Sequence, residues 1–205
     1  ALVVDIKRID EMREITVEDG GFRVGAAVSG AVLAEHPRFG KVWPGVLEAL
    51  NLIGSTQVQG RASLGGNLCN GSPAADAVPA LFAADAIVTV QGPQGRRELS
   101  VEDVPAAPGR TNLAPGEIAV SFTLPPRPPG SGDAYLRMIP RTEMDIAVVG
   151  AGVSVVLDNG NIKEARVALA SVAPTPLFVT AAGEAISGKP ANEDTVRIAS
   201  AIARD

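Results

Sequence analysis

The stretch that decides the fold is Ser63-Leu64-Gly65-Gly66-Asn67-Leu68-Cys69-Asn70-Gly71-Ser72-Pro73-Ala74-Ala75-Asp76. Its glycines, asparagines and serines are typical of a loop, and the apolar run that follows it is typical of a helix. Ser72 is a favourable N-cap, and Pro73 suits the first helical position because proline has no amide to leave unpaired. The sequence therefore predicts a glycine-rich loop that leads into a helix from Pro73 to about Ala84.

The composition of this loop suits an anion. Gly65 and Gly66 remove two side chains where a backbone can approach a ligand, and the amides of Gly65, Gly66 and Asn67 would suit a phosphate. Asn67 and Asn70 add donors and acceptors, and Asp76 can accept a hydrogen bond from a ribose hydroxyl or a ring nitrogen. The same spacing also fits a glycine-rich turn that binds nothing, because a lone glycine pattern is a weak signal.

Residues 63–76, SLGGNLCNGSPAAD, resemble the second flavin-binding motif of the FAD-binding medium subunit of molybdenum hydroxylases, the family of carbon monoxide dehydrogenase and xanthine dehydrogenase. The motif of that family is close to T-I-G-G-N followed by S-P-x-x-D. The similarity extends upstream to NLIGSTQVQGRA at residues 51–62 and downstream to YLRMIPRTEMDIAVVG at residues 135–150. It therefore covers nearly the whole chain.

The resemblance implies an α+β fold: the second half of a two-subdomain FAD-binding fold, followed by a C-terminal antiparallel three-stranded sheet with helices. It implies FAD as the cofactor. The residues that it places at the cofactor are Gly54, Val58, Ser63, Leu64, Gly65, Gly66, Asn67, Asn70, Asp76, Ile118 and Arg137. An arginine at position 137 can stabilise negative charge on a reduced flavin. Without the resemblance, Ile118 would equally fit a core position on a strand, and Arg137 would fit a solvent-exposed position on a strand.

The resemblance also implies a role in electron transfer. In this family the substrate is hydroxylated at a molybdenum cofactor in a large subunit, and electrons pass through iron–sulfur clusters of a small subunit to FAD and on to an external acceptor. Those two subunits are the expected partners. A flavin-free structural or interaction subunit, or a fragment of such a complex, is the alternative. A stand-alone flavin oxidase is disfavoured, because no arrangement of acids and bases for a substrate site is evident.

Composition narrows the remaining classes of function. Of the 205 residues, 46% are hydrophobic and 20% charged, which indicates a globular chain with a sizeable core. A net charge of −5 argues against a nucleic-acid partner.

With one cysteine, Cys69, and one histidine, His36, neither an internal disulfide nor a multi-residue zinc or iron–sulfur site can form. No apolar run reaches the roughly 18 residues of a membrane span, and no export pattern is evident, so we expect a cytoplasmic protein.

The domain organisation follows from Pro125–Gly132, because prolines do not continue a strand ladder. We expect residues 1–126 to be the second subdomain of an FAD-binding domain and residues 131–205 to be a C-terminal domain. Ala1–Ile6 has the pattern of a strand that, in the resembling family, closes a first subdomain with its own A-G-G-Q-S-L-like motif. That motif is absent here, so the chain is expected to lack the N-terminal subdomain and to be truncated at its C-terminus.

Local patterns predict several further features. Asp-Gly-Gly at residues 19–21 and Asp-Asn-Gly at residues 158–160 predict hairpin turns. Arg141, Glu143 and Asp145 are expected to form a surface ion network of little energetic weight. Cys69 is expected to act as a small buried hydrophobe rather than as a redox group.

Overall fold

The computed structural model describes residues 3–142 and 144–205. The strand predicted over Ala1–Ile6 falls partly outside these ranges. Within them the prediction is wrong, because residues 3–5 have no regular structure and Ile6–Arg8 form a short 3₁₀ helix. Glu143 of the predicted ion network also lies outside the described residues, whereas Arg141 and Asp145 do form an exposed pair, at 2.9 Å.

The described residues form both helices and strands. The α-helices are α1 (Gly30–Glu35), α2 (Phe39–Val42), α3 (Pro44–Asn51), α4 (Thr56–Gln59), α5 (Leu64–Cys69), α6 (Ala77–Ala83), α7 (Thr180–Ile186) and α8 (Glu193–Arg204). The strands are β1 (Ile15–Glu18), β2 (Gly21–Gly25), β3 (Ile87–Gly92), β4 (Gly95–Ser100), β5 (Pro105–Ala107), β6 (Arg110–Thr111), β7 (Ile118–Leu124), β8 (Ser131–Met138), β9 (Val149–Asp158), β10 (Asn161–Ala170) and β11 (Leu177–Phe178). The predicted α+β class is confirmed.

The first sheet has five strands in the order β1-β2-β7-β3-β4, and all its neighbours are antiparallel. The β1–β2 hairpin turns at Asp19 and Gly20, whose φ angles of 50° and 84° are those that a two-residue hairpin turn requires. Buried residues of this sheet, such as Phe22 and Phe122, share one core with Leu33 of α1 and Leu50 of α3. That packing holds α1 and α3 against the sheet.

The second sheet has the order β11-β10-β9-β8. Its three long strands are the predicted meander, and the two-residue β11 is added at one edge. The β9–β10 hairpin turns as predicted at Asn159 and Gly160, with φ angles of 48° and 82°. This sheet lies directly against α6, since a Cβ on Gly152 would come within 2.6 Å of the Pro79 carbonyl oxygen. Helix α6 is thus buried against the second sheet, and its Leu81 belongs to the same core as Phe22 and Phe122 of the first.

The predicted boundary between loop and helix is wrong. Leu64–Cys69 is not a loop but helix α5, in which the Ser63 hydroxyl caps the first turn and Leu64 and Leu68, one turn apart, are buried. The helix predicted from Pro73 starts only at Ala77. Residues 72–76 stay in turns because the Pro73 carbonyl accepts a hydrogen bond from the Ser171 amide, at 2.8 Å, which ties this segment to the end of β10.

Within the described ranges, no helix is both long and apolar enough to cross a membrane.

Candidate functional site

Helix α5 separates two grooves. The first, of about 330 Å³, is called here the polar groove and is lined by Ile6, Lys7, Ala27, Ile53, Arg61, Ala62, Ser63, Gly66, Asn67 and Asn70. The second, of about 440 Å³, is called the apolar groove and is lined by Ile6, Ala26, Gly65, Gly66, Cys69, Thr111, Leu113, Ala114, Glu117, Ile118 and Ala119. Ile6 and Gly66 line both. The grooves therefore meet at Gly66, near the start of the segment that the sequence singled out.

The two adjacent glycines have different roles. A Cβ on Gly65 would come within 2.6 Å of the Ala26 carbonyl oxygen, so this glycine allows α5 to pack tightly on the end of β2. A Cβ on Gly66 would meet only the Ser63 hydroxyl, at 3.4 Å, and Gly66 is exposed. Gly65 is thus needed for packing, and Gly66 leaves the junction of the grooves open.

The main-chain amides at the start of α5 are already paired. Gly65 N donates to the Ala26 carbonyl at 3.2 Å, Gly66 N to Ser63 Oγ at 3.1 Å, and Asn67 N to the Ser63 carbonyl at 3.0 Å. That these three amides hold a phosphate stays a prediction, and any such contact would be shared with the hydrogen bonds that they already make. The first turn uses them because Ser63 is an N-cap and because α5 abuts β2.

The other predicted residues of this segment divide between the grooves and the core. Asn67 and Asn70 line the polar groove, and Asn67 Oδ1 also accepts a hydrogen bond from the Ala77 amide at 3.0 Å, which joins α5 to α6. Leu64 lines neither groove, because its side chain is 1% exposed in the core. Ile118 lines the apolar groove and is 44% exposed.

Gly54 and Val58 lie beside the polar groove, next to Ile53, which lines it. Gly54 has a φ of 61°, and a Cβ there would come within 2.8 Å of the Val58 Cβ. Val58 is 42% exposed. Gly54 is therefore needed both for its backbone conformation and for its contact with Val58.

Asp76 and Arg137 form a buried ion pair. Arg137 Nη1 lies 3.0 Å from Asp76 Oδ2, and Tyr135 Oη donates to Asp76 Oδ1 at 2.8 Å. Burial raises the pKa of Asp76 above its ordinary value, while the hydrogen bond from Tyr135 and the charge of Arg137 act in the opposite direction. Burial likewise raises the pKa of Tyr135, and the Asp76 charge adds to that effect. Asp76 immediately precedes α6, whereas a helix beginning at Pro73 would have contained it.

Cys69 contributes a thiol to the apolar groove. Burial raises its pKa, and a hydrogen bond with the Ala119 backbone partly opposes that effect. The thiol is therefore protonated at neutral pH and a poor nucleophile.

Glu117 lies at the far end of the apolar groove. Its carboxylate accepts hydrogen bonds from Arg97 Nε at 2.7 Å, from Arg97 Nη2 at 2.8 Å and from the Ala114 amide at 2.7 Å. These bonds, those from Arg97 first, lower the pKa of Glu117 from an ordinary value of 4.5 to about 2. Glu117 is thus ionised at neutral pH, and both of its carboxylate oxygens accept hydrogen bonds.

Comparison with known proteins decides the family. Residues 1–127 match the FAD binding domain in molybdopterin dehydrogenase, and residues 134–205 match the CO dehydrogenase flavoprotein C-terminal domain. The chain belongs to the FAD-binding subunits of the molybdenum hydroxylases. The resemblance drawn from residues 63–76 is thereby confirmed, and FAD is the cofactor of the matched domain.

Relatives of this FAD-binding subunit occur in several dehydrogenases. The xanthine dehydrogenase FAD-binding subunit of Escherichia coli O157:H7 is 34% identical over 95% of this chain and 67% of its own length. The carbon monoxide dehydrogenase medium chain of Afipia carboxidovorans is 29% identical over 98% of this chain and 70% of its own. A carbon monoxide dehydrogenase structure from Hydrogenophaga pseudoflava superposes with a TM-score of 0.92 at 32% identity, over 97% of this chain and 69% of that one.

The grooves of this FAD-binding subunit fit the two chemically different parts of FAD. Gly66 leaves the junction open, since a Cβ built there would meet, outside its chain neighbours and its own helix backbone, Ser63 Oγ at 3.4 Å and no other described atom within 4 Å. The polar groove offers the amide side chain of Asn70 and the cations Lys7 and Arg61 to a charged group. The apolar groove offers Leu113 and Ile118 to a ring. A mostly apolar cleft with a few placed polar groups is the usual form of a cofactor site.

The motif did not point to Lys7 or Arg61. Lys7 lies 56 residues before Ser63, and only the fold brings its short 3₁₀ helix beside α5. Arg61 stands two residues before Ser63, so its position next to the motif was the one available signal.

Proposed function

We propose that this chain is the flavoprotein subunit that passes electrons from iron–sulfur clusters of a partner subunit through FAD to an external acceptor. The partners would be a large molybdenum-cofactor subunit and a small iron–sulfur subunit. The observation that carries the proposal is the meeting of a polar and an apolar groove at Gly66, in a chain with an FAD-binding family match. The Hydrogenophaga pseudoflava structure is a carbon monoxide dehydrogenase that lacks the Mo-pyranopterin moiety of the molybdenum cofactor, and this mention of the cofactor supports the choice of complex.

The proposed task of this chain is to bind and orient the cofactor. FAD, when bound, supplies the redox chemistry of its ring, which accepts and releases electrons. Ser63, Gly66, Asn67 and Asn70 would form the wall of the polar groove, and Ile118 would contact the ring. Leu64 and Gly65 would not contact the cofactor; they would hold α5 in position by packing against the core.

The remaining site residues have proposed roles at the margins of the grooves. Gly54 and Val58 would cover the outer side of the polar groove. Asp76 is linked to it through Asn67, which bonds the Ala77 amide next to Asp76. Arg137, buried against Asp76, would supply positive charge on the side of the C-terminal sheet.

Metal-centred steps are assigned to partner subunits. Among the residues that the structure describes, no group of three His, Cys, Asp or Glu side chains is placed to hold a metal ion. The domains proposed from the sequence, residues 1–126 and 131–205, are supported by the ranges of the two family matches. The cytoplasmic location stays a prediction.

Flavin binding and complex reconstitution test this function. The purified chain should quench the fluorescence of added FAD to a one-to-one endpoint. A complex with the large and small subunits should reduce an external acceptor only when FAD is present. A folded chain that assembles with both partners but binds no flavin would contradict the proposal and favour the flavin-free interaction subunit.

A further inference from the structure

A third groove adjoins the polar groove. It has a volume of about 380 Å³ and is called here the outer groove; its lining residues are Lys7, Arg13, Ala27, Val28, Ser29, Val32, Gly60 and Arg61. Lys7 and Arg61 line both the outer and the polar groove. The two cations therefore stand on the rim that the grooves share, and Arg13 lies beyond them.

The local structure holds these cations in place. The Asp5 carboxylate accepts a hydrogen bond from the Lys7 amide at 3.0 Å and so caps the 3₁₀ helix that carries Lys7. The Arg61 amide donates to the Val58 carbonyl at 2.8 Å, at the end of α4. Lys7 is half-buried and Arg61 exposed, so a ligand in the groove can reach both side chains.

The acidic group described beside this cluster, Asp5, bonds the Lys7 amide and forms no ion pair with the Lys7 ammonium. Acidic partners hold many other arginines, among them Arg23, Arg96 and Arg137. In contrast, within residues 3–142 and 144–205, the side chains of Lys7 and Arg61 form no ion pair and no hydrogen bond. Two cations on one rim without an anion repel each other, which favours occupation by a negatively charged ligand.

The amides of Gly65, Gly66 and Asn67 are already paired within the protein, so the unpaired positive charge of the polar groove comes from the side chains of Lys7 and Arg61. We propose that the side chains of Lys7 and Arg61 hold the diphosphate of a nucleotide in the polar groove, with Arg13 adding longer-range attraction from the outer groove. An arginine fork and a lysine ammonium both suit diphosphate oxygens. The inference rests on the proposed function, for which the diphosphate is that of FAD.

The diphosphate has two possible sources, bound FAD or a free nucleotide such as ADP. Calorimetric titration of the full chain with FAD, ADP and riboflavin separates them, because riboflavin has the ring without any phosphate. Lys7→Met and Arg61→Met are the test variants. Lys41→Met and Arg38→Gln are matched controls, since each removes an exposed cation that lines none of the three grooves.

Each test variant should raise the Kd for FAD and for ADP roughly 10- to 100-fold, as expected when a charged hydrogen bond is lost. Riboflavin affinity should stay unchanged, as should the melting temperature. Lys7→Arg and Arg61→Lys should retain most of the affinity, and the control variants all of it. Added salt should weaken ADP binding by the wild type more than by the double variant.

Four outcomes are decisive. Losses confined to phosphate-bearing ligands in the test variants support the inference. FAD binding by the wild type and the test variants with equal affinity would overturn it and leave the proposed function standing. ADP binding that depends on Lys7 and Arg61, with no FAD binding, would support the diphosphate site and contradict the proposed function. No binding of FAD or ADP by the folded wild type would overturn both.

Discussion

The Asp76 carboxylate lies 3.0 Å from the Arg137 guanidinium, in a buried contact between the turn before α6 and strand β8. Tyr135 completes the contact from the same strand. Because Asn67 bonds the next residue, Ala77, a short chain of hydrogen bonds runs from α5 to the C-terminal sheet. The grooves beside α5 therefore depend on the C-terminal sheet for their shape.

Removal of the Asp76 carboxylate should destabilise the protein strongly. Asp76→Ala leaves the Arg137 charge buried without its partner, and such changes cost about 3–5 kcal/mol. Urea denaturation followed by circular dichroism measures the free energy of unfolding. Asp145→Ala is the control, because its ion pair with Arg141 lies at the surface and should contribute little.

FAD binding should also be impaired more by the change at Asp76 than by the change at Asp145. Under conditions where both variants are folded, Asp76→Ala should weaken FAD binding more than Asp145→Ala, because Asp76 supports α5 and Asp145 does not contact it. The reverse order in a fluorescence titration would count against the role assigned to Asp76.

Loss of the Ser63 hydroxyl should destabilise α5. Ser63→Ala leaves the Gly66 amide without its acceptor and should lower the free energy of unfolding by about 1 kcal/mol. Ser63→Thr keeps a hydroxyl and should stay near the wild type. Thermal denaturation of the three proteins makes the comparison, and equal losses in both variants would show that the hydroxyl is not the cause.

Glu117 should contribute stability that is lost in acid. Its pKa in the folded chain is about 2, below the ordinary 4.5, so its contribution is complete above pH 4.5 and fades as the pH falls towards 2. Glu117→Gln removes this contribution. The variant should be less stable than the wild type at pH 6, and the difference should shrink between pH 4.5 and pH 2. A constant difference in urea midpoint across that range would contradict the assignment.

Turn chemistry made much of the fold predictable. Asp19-Gly20 and Asn159-Gly160 turn where predicted, because left-handed turn positions favour these residue types. Ser29 Oγ accepts a hydrogen bond from the Val32 amide and so caps α1, the position at which serine is favoured. These features depend on residues that are adjacent in sequence, so local pattern was sufficient for them.

Tertiary contacts overrode the local pattern around the motif. Gly65-Gly66 is typical of a loop, yet burial of Leu64 and Leu68 and the contact of Gly65 with Ala26 make it helical. Ser72-Pro73 is typical of a helix start, yet the Ser171 amide holds Pro73 in a turn. Lys7 reaches the site from a distant segment, which no local pattern reports. The resemblance identified the cofactor and several residues that line the grooves, among them Gly66 and Ile118, but not Lys7 or Arg61.

The measurement that bears most directly on the central claim compares FAD affinity in the wild type and in Gly66→Val. The account predicts that the wild type binds FAD, and that the variant keeps its melting temperature but loses at least about tenfold in affinity, because its side chain stands where the grooves meet. Gly65→Val is the contrast and should unfold more easily, owing to its 2.6 Å approach to the Ala26 carbonyl oxygen. A folded Gly66→Val protein with wild-type FAD affinity would contradict the account.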